Sequence, residues 1–244
     1  MTSDVSCETH VARQVWEGAA DETYRREQSH WRGIGRWEDD DRWRAIGRST
    51  VASFDLTHRY LGSPISMAGR RRTFLEWGPG GGTNLLALAP IAERYYGVDI
   101  SRSNLDEAER MIREEGYDDV FRPVLVRDDP SEILAHVDSP IELFVSTAVF
   151  QHFPSKSYGR SVLEVIHEVT APHALGVVQI RYDNDDPRFR PIGSLDEYRE
   201  RHITANSYKI DEFWALANET GFDVLFVRSI NVQINYATFH LRRR

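Results

Sequence analysis

The sequence predicts an α/β protein with a doubly wound sheet, and three observations carry that expectation. First, Phe74-Leu75-Glu76-Trp77-Gly78-Pro79-Gly80-Gly81-Gly82-Thr83-Asn84 reads as a buried strand, a glycine-rich turn and the start of a helix running through Leu85, Leu86 and Leu88. Second, Tyr95-Tyr96-Gly97-Val98-Asp99-Ile100-Ser101 is a short apolar run with an acid at its carboxyl end. Third, apolar strand-like runs then alternate with amphipathic helical segments up to the C-terminus.

The first 72 residues are of another kind. They hold Trp16, Trp31, Trp37 and Trp43 among acids and arginines, with no strand-like alternation. Helices are expected over 13–32 and over 41–61, where Trp43, Ile46, Val51 and Phe54 recur at near-helical spacing. Gly62-Ser63-Pro64 and Gly69-Arg70-Arg71-Arg72 punctuate the entry to the sheet. Two units follow: a helical cap over 1–72 and a ligand-binding core over 73–244. Tryptophan needs an apolar contact for its body and a partner for its N–H, so the cluster either docks on the core or walls a ligand site. Packing is the reading for Trp43, while both readings stand for Trp31 beside His30.

Past Asp99, a helix is expected over 102–116, capped by Ser101 or Ser103. A strand at 124–129, a short helix at 130–136 and a strand from 141 follow. The segment 158–170 carries Val162, Val165, Ile166 and Val169 on one face, the mark of a helix covering a sheet. Gly176–Arg181 is the fifth strand. A helix over 209–220 ends at Gly221, and strands at 222–227 and 236–241 close the chain before a solvated Arg242-Arg243-Arg244 tail. An insertion at about 182–208, rich in charge, leaves a strand's carboxyl end and is expected to be part lid and part surface.

The glycine spacing narrows the ligand. It is GxGxG; a dinucleotide fingerprint needs its third glycine where Thr83 stands, and no Gly-Lys-Ser/Thr follows to make a P-loop. A glycine turn with an acid ending the next strand points to an adenosine-type ligand, Asp99 accepting the ribose hydroxyls. Asp99 also suits a helix N-terminus, and both roles hold at once.

On these residues the chain resembles the class I S-adenosylmethionine-dependent methyltransferases of the small-molecule type, in which E-x-G-x-G-x-G ends the first strand and an acid ends the second. The resemblance runs from about residue 73 to the C-terminus. It extends to Val124-Leu125-Val126-Arg127-Asp128-Asp129 as third strand with an adenine-facing acidic pair. It also takes in the stretch from Ile141 through Val149-Phe150-Gln151-His152-Phe153-Pro154, similar to the family's V-x-x-H-x-P form. Glu142 where Asp is usual, and bulky Trp77, depart from the pattern. The resemblance implies a Rossmann-like seven-stranded sheet of order 3-2-1-4-5-7-6 with the last strand antiparallel. It also implies S-adenosylmethionine as cofactor, bound by Glu76, Gly78, Pro79, Gly80, Gly82, Asn84, Asp99, Ile100, Asp128, Asp129, Ser146 and Thr147.

Methyl transfer asks the protein mainly for alignment and exclusion of water. Where the acceptor is protonated a base is needed, and His152, after the fourth strand, is the candidate; it would equally hold the turn by bonding backbone. Tyr24, His30, Trp31, Arg181 and His202 are candidates for contact with the acceptor. Asp183-Asn184 matches half of a magnesium motif found in some family members, but Ser146 and Thr147 stand where its other half belongs, so no metal is expected.

Composition fits a compact cytoplasmic enzyme, and a small-molecule acceptor is what the resemblance implies. At 244 residues and 41% hydrophobic content the chain can bury a full core. A net charge of −8 argues against a nucleic-acid grip. No apolar run approaches a membrane span, the polar Met1-Thr2-Ser3-Asp4 is no signal-peptide core, and the one cysteine, Cys7, forms no internal disulfide. A monomer, or a homodimer docked through the tryptophan-rich segment, is expected. The rival readings are a dehydrogenase on the same sheet, and a cofactor-binding regulator or cyclase without methyl transfer.

Overall fold

The computed structural model describes residues 2–18, 22–62 and 71–244. Its strands are β1 (Arg72–Trp77), β2 (Ala92–Asp99), β3 (Phe121–Leu125), β4 (Ile141–Ser146), β5 (Thr170–Arg181), β6 (Phe222–Asn231) and β7 (Tyr236–Arg243). They form one sheet in the order β3-β2-β1-β4-β5-β7-β6, the first five parallel and β7 antiparallel to both neighbours. The sequence expectation of a doubly wound sheet in this order holds. Every residue of β1 is buried, as a strand covered on both faces requires.

The helices are α1 (Thr2–Trp16), α2 (Glu22–Gln28), α3 (Asp40–Tyr60), α4 (Thr83–Leu88), α5 (Arg102–Glu114), α6 (Lys156–Val169), α7 (Tyr198–Arg201) and α8 (Ile210–Glu219). Trp43 and Phe54 of α3 share a core with Leu85 of α4 and Leu105 of α5 on one face of the sheet. On the other face Val162 and Ile166 of α6 meet Phe213 of α8. Side-chain caps fix three of the starts: Asp39 accepts from Arg42 N–H, Ser101 from Asn104 N–H and Ser155 from Tyr158 N–H. Gly221, at φ +94°, follows α8 where a helix commonly ends.

Several boundaries differ from the sequence reading. Residues 13–32 are not one helix: α1 ends at Trp16 and α2 starts at Glu22, with Gly18, a poor helix former, in the break. The third strand lies at Phe121–Leu125, so Asp128 and Asp129 fall beyond it. The fifth begins at Thr170 rather than Gly176. Arg242 and Arg243 are part of β7, not a solvated tail: Arg242 donates to Asp223 (3.0 Å), and Arg244 N–H donates to Gly221 O (3.0 Å). Of the glycine and proline punctuation before the sheet, residues 63–70 lie outside the described residues. The 182–208 insertion is closed at its base by a bridge between Tyr182 and Tyr208, and Tyr198 within it is fully buried against Ala12 of α1.

Candidate active site

The turn after β1 takes a backbone shape that suits glycine. Gly78 and Gly80 have φ of +78° and +51°, the left-handed region in which a Cβ is strained. Gly78 N–H donates to Val98 O (2.7 Å), which ties the turn to β2. Gly81 N–H donates to Ser29 O (2.7 Å), and a Cβ on Gly80 would collide with that same oxygen. The N-terminal cap is therefore seated on the turn itself. Gly82 does other work, abutting Ala108 and Met111 of α5 and preceding α4.

A cleft of about 790 Å³ with its mouth opens beside this turn, between β1 and β4, where the strand order reverses. Two buried carboxylates face it. Glu76 accepts from Asn84 Nδ2 (2.7 Å) and Tyr95 OH (2.6 Å), and Asp99 accepts from Ser101 N–H (2.8 Å) and Asn104 Nδ2 (3.3 Å). Burial pushes Glu76 up to about 7 and Asp99 up to about 6, against the bonds that favour their charged forms. Neither has a cationic partner among the described residues. Such a pair suits a ligand that brings hydroxyl donors and positive charge.

Of the residues expected at the cofactor, Glu76, Gly78, Pro79, Gly80, Asn84, Asp99, Ile100 and Thr147 line the cleft. Four do not. Gly82 packs as described, and Ser146, fully buried, donates from Oγ to Trp77 O (3.1 Å), joining β4 to β1. Asp128 is exposed, and Asp129 caps the 3₁₀ turn Pro130–Ala135 by accepting from Ser131 N–H (2.8 Å). Glu132 accepts from the N–H groups of Arg127, Asp128 and Asp129, so local bonding turns this acidic pair into a cap instead of a cleft wall.

Among the acceptor candidates, His30 lines this cleft and Arg181 the neighbouring one, while Tyr24, Trp31 and His202 line neither. Tyr24 is exposed, Trp31 Nε1 donates to Asn104 Oδ1 (3.0 Å), and His202 meets the Trp16 ring edge-on. The sequence reading misses Gln28, Ser29, Asn104 and Tyr158 in the wall and places Trp16 and Tyr198 only generally, in the tryptophan cluster and the insertion. Tyr158 carried a signal, an aromatic hydroxyl just after a helix cap beyond β4. Gln28 and Ser29 carried none, since Ser29 meets the turn through its backbone.

The neighbouring cleft, about 1350 Å³ with its mouth, shares Gln28, His30, Thr147, Ala148 and His152 with the first. His152 thus stands in the common wall. Its Nδ1 lies 3.0 Å from His202 O, and because a carbonyl only accepts, Nδ1 bears the proton and Nε2 keeps its lone pair. Gln151 Nε2, 3.3 Å away, donates to that Nε2. Tyr198 OH donates to His152 O (2.7 Å), and the Trp16 ring packs 5.1 Å from the imidazole. Burial, with Arg181 among the nearby cations, holds His152 down to about 3, so the imidazole is neutral at physiological pH.

An open α/β sheet with an acid-lined cleft at its switch point defines an enzyme site for an adenosine-type cofactor. Residues 74–173 match the family model described as a methyltransferase domain, and the 3-2-1-4-5-7-6 sheet is that of the class I S-adenosylmethionine-dependent methyltransferase fold. Its cofactor is S-adenosylmethionine. The cleft fits that group: Asp99 and Glu76 accept donors, and the positive-φ turn lets backbone lie against the ligand. Among solved structures, magnesium protoporphyrin IX methyltransferase from Synechocystis PCC 6803 with bound SAH aligns at a TM-score of 0.65. The two are 14% identical over 97% of this chain and 100% of that one. A methyltransferase from Methanosarcina mazei aligns at 0.57 and 17% identity, over 72% and 94%. At these identities the likeness is one of fold. No curated protein matches the chain. Among the described residues, no helix is long and apolar enough to cross a membrane, and no group of three or more His, Cys, Asp or Glu is placed to hold a metal.

Proposed function

We propose that the protein transfers a methyl group from S-adenosylmethionine to an O, N or C nucleophile of a small-molecule acceptor seated in the second cleft. The carrying observation is the shared wall: His152, Thr147 and Ala148 face both clefts, so a donor in one and an acceptor in the other meet there. The cofactor supplies a methyl already activated on its sulfonium. The chain's own part is to hold both partners and take away a proton. Asp99 would accept the ribose hydroxyls, and the backbone of 78–80 would lie against the methionine end. The cap, seated on Gly81 through Ser29 O, would keep water from the site.

His152 is the proton acceptor in this reading. Its tautomer leaves a lone pair on Nε2, met in this structure by Gln151 Nε2, which an acceptor's proton would displace, and its neutrality means none must first be shed. An acceptor hydroxyl or amine becomes strongly acidic once its lone pair engages the methyl carbon, so even a weakly basic imidazole suffices. The test uses a panel of hydroxyl, amine and acidic-carbon compounds, with formation of S-adenosylhomocysteine as readout. His152→Ala should lower kcat by about 10²–10⁴-fold with S-adenosylhomocysteine affinity unchanged. Wild-type kinetics across pH in that variant would remove the role.

A further inference from the structure

The second cleft carries a charge that the first lacks. Its wall includes Arg36 and Arg181 and, among the described residues, no carboxylate, in a chain whose net charge is −8. Arg36 is matched, donating to Gln28 Oε1 (3.0 Å) and lying 3.8 Å from a Glu27 carboxylate oxygen. Arg181 is not. It sits at the carboxyl end of β5, 8% exposed, with its guanidinium between the rings of Phe189 (4.4 Å) and Tyr236 (4.7 Å).

Its bonds go to neutral oxygens: Nη1 donates to Ile234 O (3.2 Å) and Nη2 to Tyr236 OH (3.0 Å). Nε is buried with no partner, and Arg181 joins no ion pair among the described residues. A buried guanidinium without a counter-charge is costly, and it persists where something else requires it. Stitching β5 to the β6–β7 turn needs only neutral donors, which a glutamine would supply; the full charge needs an anion. Arginine's planar fork suits a carboxylate, and Tyr236, which lines the same cleft, offers an aromatic surface to a flat apolar body attached to it.

We infer that Arg181 anchors a carboxylate of the methyl acceptor, an aromatic or otherwise flat carboxylic acid whose other end reaches the wall at His152. The inference rests on the methyltransferase reading of the two clefts and adds the chemical class of the second ligand. Arg181 binds the acceptor and takes no part in moving the proton.

Full-length protein saturated with S-adenosylhomocysteine is titrated calorimetrically with benzoate and with benzamide, its neutral counterpart. Benzoate should bind at least tenfold more tightly. Arg181→Met should abolish that preference while S-adenosylhomocysteine affinity stays within twofold of wild type, and Arg181→Lys, which keeps the charge, should retain part of it. The nucleoside affinity also shows that each variant is folded. Equal binding of the two probes, no benzoate binding, or a preference that survives in Arg181→Met overturns the assignment. Failure of S-adenosylhomocysteine to bind wild-type protein is a separate result and strikes the methyltransferase reading instead.

Discussion

The two clefts are opposites in charge and differ in where their charged residues come from. The first faces Glu76 and Asp99, both buried without a cation among the described residues, and these acids end consecutive strands at the sheet's switch point, while the N-terminal segment, the turn after β4 and the insertion complete its wall. The second faces Arg36 and Arg181, with no carboxylate among the described residues, and draws its wall from the cap, the turn after β4, the end of β5, the insertion and β7. Under the proposed function the difference would sort donor and acceptor by sign: a cationic, hydroxyl-rich cofactor beside acids, and an anion beside an arginine. Between them stands a neutral histidine, so neither field is cancelled at the point of transfer.

The contrast breaks most sharply at Asp99. Under the proposed function its carboxylate accepts the ribose hydroxyls, and hydrogen bonds to a charged group are worth about 1.5–3 kcal/mol each. Asp99→Ala should therefore weaken S-adenosylhomocysteine binding by about a hundredfold or more in isothermal titration, with far-ultraviolet circular dichroism unchanged. Unaltered affinity would refute the acidic cleft as the nucleoside site.

Gly80 is where the cap reaches the sheet's turn. Gly80→Ala adds a Cβ in left-handed backbone and against Ser29 O. Gly116→Ala is the control, because Gly116 also has positive φ, at +82°, but a Cβ there meets nothing within 4 Å. Both variants bear strain of about 1–3 kcal/mol. Only Gly80→Ala should also weaken S-adenosylhomocysteine binding about tenfold and expose 22–37 to limited proteolysis. Identical behaviour of the two would show that the cap contact contributes nothing to the site.

The same contrast explains what was legible in the sequence. Glu76 through Asn84 and Asp99 could be read because strand periodicity, glycine and a terminal acid are local signals whose spacing reports their geometry. Sheet order was legible only through resemblance, since alternation does not fix which strands pair. Asp128 and Asp129 misled because a capping box with Glu132 looks, in sequence, like any acidic pair. The second cleft was hardly legible at all. Arg181 was a candidate, but its missing counter-charge depends on Ile234, Tyr236 and Phe189, residues brought together only by the antiparallel insertion of β7 and the folding back of 182–208. The helical reading of 13–32 hid the break that lets Ser29 meet Gly81.

A last effect, on stability instead of binding, lies within the acidic cleft and tests whether Glu76 is held against its charge. Burial raises Glu76 from 4.5 to about 7, so between those pH values the folded protein keeps a proton that the unfolded chain releases. Stability from this group is fully present below pH 4.5 and is lost as pH rises through 7, a change of about 3 kcal/mol. Asp99 acts in the same direction between 3.8 and about 6. His30, His152 and His240, all held below 6.5 by burial, act in the opposite sense, destabilising the fold as acid protonates the unfolded chain. The wild-type profile mixes these contributions, but Glu76→Gln removes one and leaves the others. The glutamine amide keeps an acceptor for Asn84 Nδ2, and its own N–H groups can donate to Tyr95 OH. In urea unfolding of the ligand-free protein, the variant should therefore gain stability relative to wild type on going from about pH 5 to pH 8. A difference between the two proteins that stays constant over this range would mean that Glu76 is charged throughout, and that the first cleft offers its cofactor a full carboxylate rather than one shared with a proton.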